Sequence, residues 1–174
     1  MADCNICTAI SAKMNVVYED EKVIALLHPQ GAAPGHMLVL PRQHAALLEL
    51  LPDYVVGALW TKANQLGKCL IDGLGMQGSN LIVQNGLAAG QQHSHAMLHV
   101  IPRKENDGMQ FLWRPRQIGE EEFSTVELKL KEETKNMGQF EREKPKPIEL
   151  KPAEKVEQKQ GEIDWRIRHL RRIP

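Results

Sequence analysis

A short run in the middle of the chain concentrates side chains that could act on a phosphate group. His95, Met97 and His99 alternate along a predicted strand over residues 94–101, so all three point to one face of a sheet. Imidazoles can donate hydrogen bonds, transfer protons and attack phosphorus, whereas a thioether attacks phosphorus poorly and exchanges no proton. The residues between them are apolar, as in a half-buried strand, and Pro102 is expected to end it. The sequence therefore predicts a ligand site on this face.

A CxxC pair near the N-terminus has the spacing of metal ligands. Cys4 and Cys7 form this pair, and in a reducing compartment such a pair more often holds metal or does redox work than forms a disulfide. Two thiolates at this spacing can bind one ion, and imidazoles commonly complete the coordination when that ion is Zn²⁺. The alternative is two free thiols near a frayed terminus. Cys69 lies in an amphipathic helical pattern and is expected to be a buried, small apolar residue.

Two segments of the chain resemble the histidine triad (HIT) family. They are the PGH segment, residues 34–44 (PGHMLVLPRQH), and the triad segment, residues 85–103, and the resemblance covers about residues 3–104. It implies a five-stranded antiparallel sheet with one long helix, commonly paired into a homodimer. In the family the strand reads His-x-His-x-His, and its middle histidine attacks the α-phosphorus of a nucleotide to form a nucleotidyl-imidazole intermediate. The resemblance places Met97 at that position.

The resemblance also implies which residues contact a nucleotide. Asn85, Gln91 and His99 match positions that contact phosphate in the family. Small residues in the loop between them, including Gly90, would let backbone N–H groups approach phosphate oxygens, and the Gln91 amide could donate as well. His28 stands where the family often has an acidic residue that holds the ribose hydroxyls. That departure weakens the expectation of a purine nucleotide.

A zinc-bearing branch of the family provides a complete ligand set for the CxxC pair. That branch closes the site with the last histidine of the PGH segment and the first histidine of the triad, which match His44 and His95. With Cys4 and Cys7 these would form a structural Zn²⁺ site that has no open position and joins the N-terminal helix to the sheet. A metal-bound His95 would no longer act freely as an acid or a base.

Two functions remain open from the sequence. The first is a zinc-containing, HIT-like nucleotide (phosphate) binding protein that lacks the usual histidine nucleophile. The alternative is an active nucleotidyl, phosphoramidate or dinucleoside polyphosphate hydrolase that uses His99 or an activated water. His99 lies about 6.5–7 Å along the strand from position 97, whereas attack geometry tolerates errors nearer to about 1 Å. His93, which can lie in the preceding loop, is a weaker substitute, so we favour the binding protein.

The elements that position these residues follow from periodicity and from turn residues. The sequence predicts a short helix over residues 4–13, strands over 16–18, 23–28, 37–41 and 80–84, and a long helix over 53–72 ended by Gly73 and Gly75. The apolar positions expected on the buried side of the long helix are Val56, Leu59, Trp60, Ala63, Leu66 and Leu70. Strands gathered into meanders with helices set apart predict an α+β fold.

The C-terminal third is expected to be an appendage, both helical and extended, to a HIT-like domain of residues 1–113. A helix is predicted within residues 114–138, from Glu120 to Asn136 and ended by Gly138, and a charged linker rich in Pro, Lys and Glu over 139–161. The cluster at residues 111–113, Phe-Leu-Trp, is expected to cover the sheet or the edge of the site. The basic and apolar tail, residues 162–174, is interpreted as an anchor that packs on the domain or on a dimer mate; RNA or an acidic partner is the alternative.

Charge and hydropathy narrow the class of protein further. The chain has 22 basic and 22 acidic residues, so no overall field favours nucleic acid, and any polyanion would bind a local patch. No segment has the pattern of a targeting signal or the length of a membrane span, which leads us to expect a cytoplasmic protein.

Overall fold

A five-stranded antiparallel sheet forms the centre of the computed structural model, which describes residues 4–135 and 137. The strands are β1 (Val16–Glu19), β2 (Val23–Leu27), β3 (Met37–Pro41), β4 (Gly78–Val83) and β5 (Leu98–Arg103), in the spatial order β1-β2-β3-β5-β4. The described helices are α1 (Asn5–Ser11), α2 (Asp53–Leu74) and α3 (Glu120–Thr134), with short 3-10 turns at Leu48–Leu50 and Leu87–Ala89. The predicted α+β fold with one long helix is confirmed.

The two faces of the sheet carry separate apolar cores. On one face α2 packs against alternate strand residues such as Val39 and Leu98, which are completely buried. On the other face α1 packs against a smaller cluster that includes Ile24, Leu40 and Met97. Because side chains alternate between the faces of a strand, β1, β2 and β3 each contribute residues to both cores. The face that α1 covers in part also carries the histidines.

Strand β5 differs at both ends from the sequence prediction. Residues 94–97 lie outside the ladder, and the Ala96 N–H donates to the carbonyl of Ala45 at 2.7 Å. At the other end Pro102 does not stop the strand but pairs with Ser79. The pairing of β5 with β3 ends at Val100, so no strand partner for an N–H of residue 102 remains on that side. Pro102 is therefore tolerated inside the strand.

Helix α2 is longer than predicted and its buried face is slightly rotated. It continues through Gly73 and ends at Gly75, which adopts the left-handed conformation with φ of +62°. Val55 is buried, the predicted Val56 is only partly buried, and the predicted Trp60 is 41% exposed. Cys69 is exposed, which contradicts the prediction that it is buried, because its position on α2 faces away from the sheet.

Arg103 fixes the direction of the chain as it leaves β5. Its guanidinium donates two hydrogen bonds to the Asp107 carboxylate, at 2.6 and 2.8 Å, and further bonds to Asn80 and to the carbonyl of Met109. It also lies 5.2 Å from the centre of the Phe111 ring. The Arg103 guanidinium and backbone N–H donors hold the pKa of Asp107 well below its usual range.

No residue of helix α3 is buried against the described part of the chain. The cluster at 111–113 does not cover the sheet as predicted, because Leu112 and Trp113 are 91% and 85% exposed. The predicted helix end at Gly138, the linker (139–161) and the tail (162–174) lie outside the described residues, so these remain predictions. None of the helices described combines the length and hydropathy that a membrane span requires.

Candidate functional site

Cys4, Cys7, His44 and His95 come together where α1 meets the end of β3. Their ligand atoms all lie within 4.8 Å of one another. Nδ1 of His95 lies 3.8 Å from Sγ of Cys4 and 3.5 Å from Sγ of Cys7. Nδ1 of His44 lies 3.3 Å from Sγ of Cys7. Tetrahedral zinc, with Zn–S near 2.3 Å and Zn–N near 2.0–2.1 Å, would place sulfur and nitrogen about 3.6 Å apart. The four residues could hold a metal ion, and the three sulfur–nitrogen separations of 3.3, 3.5 and 3.8 Å are close to those of a zinc site.

His95 is held in the orientation and tautomer of a metal ligand. Its ring is completely buried, and its Nε2–H donates to the carbonyl of Pro41 at 3.0 Å. The lone pair therefore lies on Nδ1, the atom that faces the sulfurs. Burial lowers the pKa of His95 and so favours the neutral ring. Burial and the neighbouring Cys4 raise the pKa of the Cys7 thiol, and a bound cation would reverse that effect by stabilising the thiolate.

Three further histidines form a row on the same face of the sheet. His36 lies in the PGH segment just before β3, and the pairing of Leu38 with His99 brings it diagonally beside the His99 ring. Nε2 of His36 is 3.1 Å from Nδ1 of His99. On its other side His36 stacks on His28, with ring centres 4.9 Å apart. The PGH segment and the triad segment therefore build one site although they are far apart in sequence.

Backbone donors determine the tautomers along this row. The Ala32 N–H donates to Nδ1 of His36 at 3.0 Å, so the hydrogen of the neutral His36 ring is on Nε2. That hydrogen points to Nδ1 of His99, which must accept it, and the hydrogen of His99 is therefore on Nε2. The Gln30 N–H donates to Nδ1 of His28 at 3.1 Å and leaves the hydrogen of that ring on Nε2 as well.

The electrostatics of the row favour neutral rings. Burial and the imidazoles of His99 and His28 lower the pKa of His36 to about 4. Burial, followed by the charges of His28 and His93, also lowers the pKa of His99. Burial and His93 lower the pKa of His28 in the same way. At neutral pH the row therefore presents N–H donors and little positive charge.

A small pocket of about 30 Å³ lies beside this row. It is lined by His28, Gln84, Gln91, Gln92, His93, Met97 and His99. Met97 is buried, with only 6% exposed, and belongs to the apolar cluster under α1 as well as to the pocket wall. An open cleft of about 560 Å³ adjoins the pocket and shares Gln91, Gln92 and His93 with it. The pocket and the cleft therefore form one continuous depression beside the histidine row.

The loop expected to cradle phosphate is largely occupied by its own hydrogen bonds. The Gln91 amide donates to the carbonyls of Ala46 and His93, both at 2.7 Å, and its oxygen accepts the Gly86 N–H at 2.7 Å. The backbone N–H groups of Gly90 and Gln91 are bonded within the loop. The side-chain oxygen of Asn85 accepts the N–H of Leu48 at 3.1 Å. Asn85, Gly90 and Gln91 shape this loop, and their contact with phosphate stays a prediction.

The sequence alone did not reveal the contributions of Gln84, Gln92 and His36. Gln84 lies just after β4, and Gln92 lies in the loop before β5; both side chains line the pocket. His36 belongs to the PGH segment, but its role depends on the antiparallel pairing of β3 with β5, which brings it beside His99. The pocket and the metal cluster bring together every site residue that the sequence predicted except Asn85 and Gly90, which lie in the adjoining loop.

The sheet order and the histidine row define an α+β protein of a known class. A sequence profile of the HIT domain matches residues 10–106, and the chain belongs to this family. It is 36% identical over 107 residues to adenylylsulfatase HINT3 of Arabidopsis thaliana, covering 60% of this chain but only 54% of that relative. It is 29% identical over 139 residues to adenosine 5'-monophosphoramidase HNT1 of Candida albicans, covering 76% and 91% of the two chains.

Among solved structures, the fold is similar to that of a zinc-bound histidine triad family protein from Mycobacterium smegmatis. The TM-score is 0.60 at 27% sequence identity, and the match covers 76% of this chain and 96% of the other. The likeness supports the HIT fold.

Proposed function

We propose that this chain is a zinc-containing HIT protein that binds a nucleotide through its phosphate and does not form the covalent nucleotidyl intermediate of the family. The observation that carries the proposal is the chemistry of the two residues at the pocket wall where attack on phosphorus would occur. Met97 has a thioether, which is a poor nucleophile toward phosphorus. His99 has its Nδ1 engaged by His36 and a hydrogen on Nε2, so no free lone pair of that ring faces a ligand.

The same tautomer makes His99 suitable for binding. A neutral imidazole N–H can donate to a phosphate oxygen, and a hydrogen bond to a charged acceptor is stronger than one between neutral groups. His36 fixes the orientation of His99 and thus acts as a positioning residue. The amide groups of Gln84 and Gln92 line the same pocket and can donate to further oxygens. Binding therefore requires no protonated histidine.

Zinc has a structural role in this proposal. When bound, it would supply a rigid cross-link among the ligands Cys4, Cys7, His44 and His95. His95 lies only two residues from Met97, so its fixed ring also holds the start of the triad segment in place. A homodimer, a cytoplasmic location and the division into a HIT-like domain at 1–113 and a C-terminal helix at 114–138 are parts of the same proposal.

A second candidate is a hydrolase that uses water directly. The names of the relatives favour it, since two of them are called an adenylylsulfatase and an adenosine 5'-monophosphoramidase. In such a reaction a water would attack the phosphorus while the pocket holds the phosphate oxygens. His99 could not remove the proton of that water in the tautomer described above, because its Nε2 already carries a hydrogen.

The test combines binding with turnover. Zinc-loaded wild type is incubated with adenosine 5'-phosphoramidate, and AMP binding is measured by calorimetry. We expect binding without turnover in wild type, loss of affinity in His99→Ala, and a gain of turnover with a trapped nucleotidyl-protein in Met97→His. A wild-type protein that turns over the phosphoramidate, with activity abolished in His99→Ala, would establish the hydrolase instead. Absence of binding to any phosphate compound would remove both candidates.

A further inference from the structure

The pocket beside Met97 is unusual in the balance of its polar groups. Three imidazoles and three carboxamides line it, and no carboxylate is among the lining residues. Carboxamide oxygens are thus the main side-chain acceptors, and the oxygen of Gln91 is already bonded to the Gly86 N–H. The pocket offers mainly hydrogen-bond donors, which is the opposite of what a pair of sugar hydroxyls needs for its own O–H groups.

His28 provides one of these donors at a defined point of the wall. Its Nδ1 accepts the Gln30 N–H at 3.1 Å, and its ring stacks on His36. The ring is thereby oriented, and its remaining hydrogen is on Nε2, which has no partner among the described residues. A donor that is positioned in this way and left without an acceptor favours an incoming group rich in acceptors.

His99 provides a second donor at a different point. The centres of its ring and of the His36 ring are 5.3 Å apart, and His28 lies on the other side of His36 at 4.9 Å. The two Nε2–H groups therefore belong to rings separated by a third ring. A ligand with two anionic groups can satisfy both donors, whereas a ligand with a single phosphate leaves one of them to water.

We propose that the ligand of this site carries a second anionic ester group, a phosphate or a sulfate on its sugar, which His28 binds while His99 binds the 5'-phosphate. The inference rests on the proposed function, because it assumes that the site binds a nucleotide through phosphate. The chemical class is a nucleoside bisphosphate or its sulfated equivalent. The amides of Gln84 and Gln92, which line the same pocket, can donate to either group.

The test compares two probes on the zinc-loaded, full-length protein. Isothermal titration calorimetry with adenosine 3',5'-bisphosphate and with adenosine 5'-monophosphate gives the ratio of their dissociation constants. We expect wild type to bind the bisphosphate roughly tenfold more tightly, since one additional charge-assisted hydrogen bond has about that effect. In His28→Asp the ratio should reverse, because the carboxylate repels the second phosphate and accepts hydrogen bonds from sugar hydroxyls. In His28→Gln, which preserves a donor, it should stay above one.

The control for added charge is Asn64→Asp, which introduces the same negative charge at an exposed position of α2, the helix that covers the opposite face of the sheet. Its ratio should equal that of wild type. A wild-type protein that binds the monophosphate as tightly as the bisphosphate would overturn this inference and leave the proposed function standing. A wild-type protein that binds neither probe would overturn both.

Discussion

Removal of the metal should release α1 from the sheet and lower the stability of the whole domain. The helix has seven residues, and an isolated helix of that length is not stable in water. Ile6 is its only buried residue, and burial of such a side chain contributes about 1.5–3 kcal/mol. Ordering of the backbone costs about 1–2 kcal/mol for each residue. Ala9 and Ile10 add only partly buried contacts, so apolar contact alone does not offset this cost. An ion bound by Cys4, Cys7, His44 and His95 would supply part of the difference.

The magnitude follows from ligand linkage. A metal present at about 1,000 times its dissociation constant stabilises the folded state by about 4 kcal/mol. For a domain of this size each kcal/mol changes Tm by about 2–4 °C, so a strong chelator should lower Tm by roughly 8–16 °C. Cys4→Ser should reproduce most of this loss without chelator. Cys69→Ser is the matched control, because Cys69 is exposed on α2 and belongs to no metal cluster of the described residues.

Two measurements check the reasoning. Differential scanning calorimetry gives the change in Tm, and hydrogen exchange followed by mass spectrometry reports on the amides of α1. We expect exchange to increase most in α1 and in the residues around His44, while α2 remains the better protected helix. Metal analysis must show that the chelated sample has lost its ion. If Tm and the protection of α1 are unchanged after the ion is gone, the helix is held by packing and our account of it is wrong.

Three other changes have expected outcomes. As pH falls from 7 to 4, the free energy of unfolding should decrease by about 2–3 kcal/mol, because the folded-state pKa of His36, about 4, lies below its unfolded value. Urea titrations at the two pH values should show a smaller decrease in His36→Asn. Gly35→Ala should lower the free energy of unfolding in urea by about 1–3 kcal/mol, because φ is +91° and a Cβ would lie 2.8 Å from a methyl carbon of Leu74. The control Gly57→Ala has open space around it in α2 and should raise that free energy by up to about 1 kcal/mol. Asp107→Ala should lower Tm by several degrees in scanning fluorimetry, because the buried part of Arg103 would lose its acceptor.

Local patterns were sufficient for most of the sheet and for the long helix. Strand β3 occupies the predicted range, since a continuous apolar run between the PGH histidine and Arg42 allows few other structures. The sequence predicted Trp60 on the buried side of α2, but Trp60 is 41% exposed. Periodicity does not reveal this, because a large amphipathic ring can lie at the edge of a core with much of its surface in water. Hydrophobic periodicity indicates which side of a helix is buried but not the angle at which it packs.

The start of β5 and the tautomers could not be predicted from local patterns. Residues 94–97 have the alternation of a strand, but the N–H of Ala96 donates to the carbonyl of Ala45, and the His95 ring donates to the carbonyl of Pro41 at the end of β3. The neutral donor state of His99 depends on the N–H of Ala32 acting through His36. Except for the local bond between Ala32 and His36, these contacts join residues about 50 to 60 positions apart, and periodicity carries no information about them.

The separation of the two cores has a consequence for how this fold can change over time. Side chains at 96, 98 and 100 are part of the core that holds α2 to the sheet, while position 97 lies on the opposite face between a small apolar cluster and the pocket. Exchanging imidazole for thioether at position 97 therefore leaves the larger core untouched. A single substitution at position 97 can therefore change the chemistry of the pocket without disturbing the fold. Proteins that share this fold can accordingly differ in what their sites do.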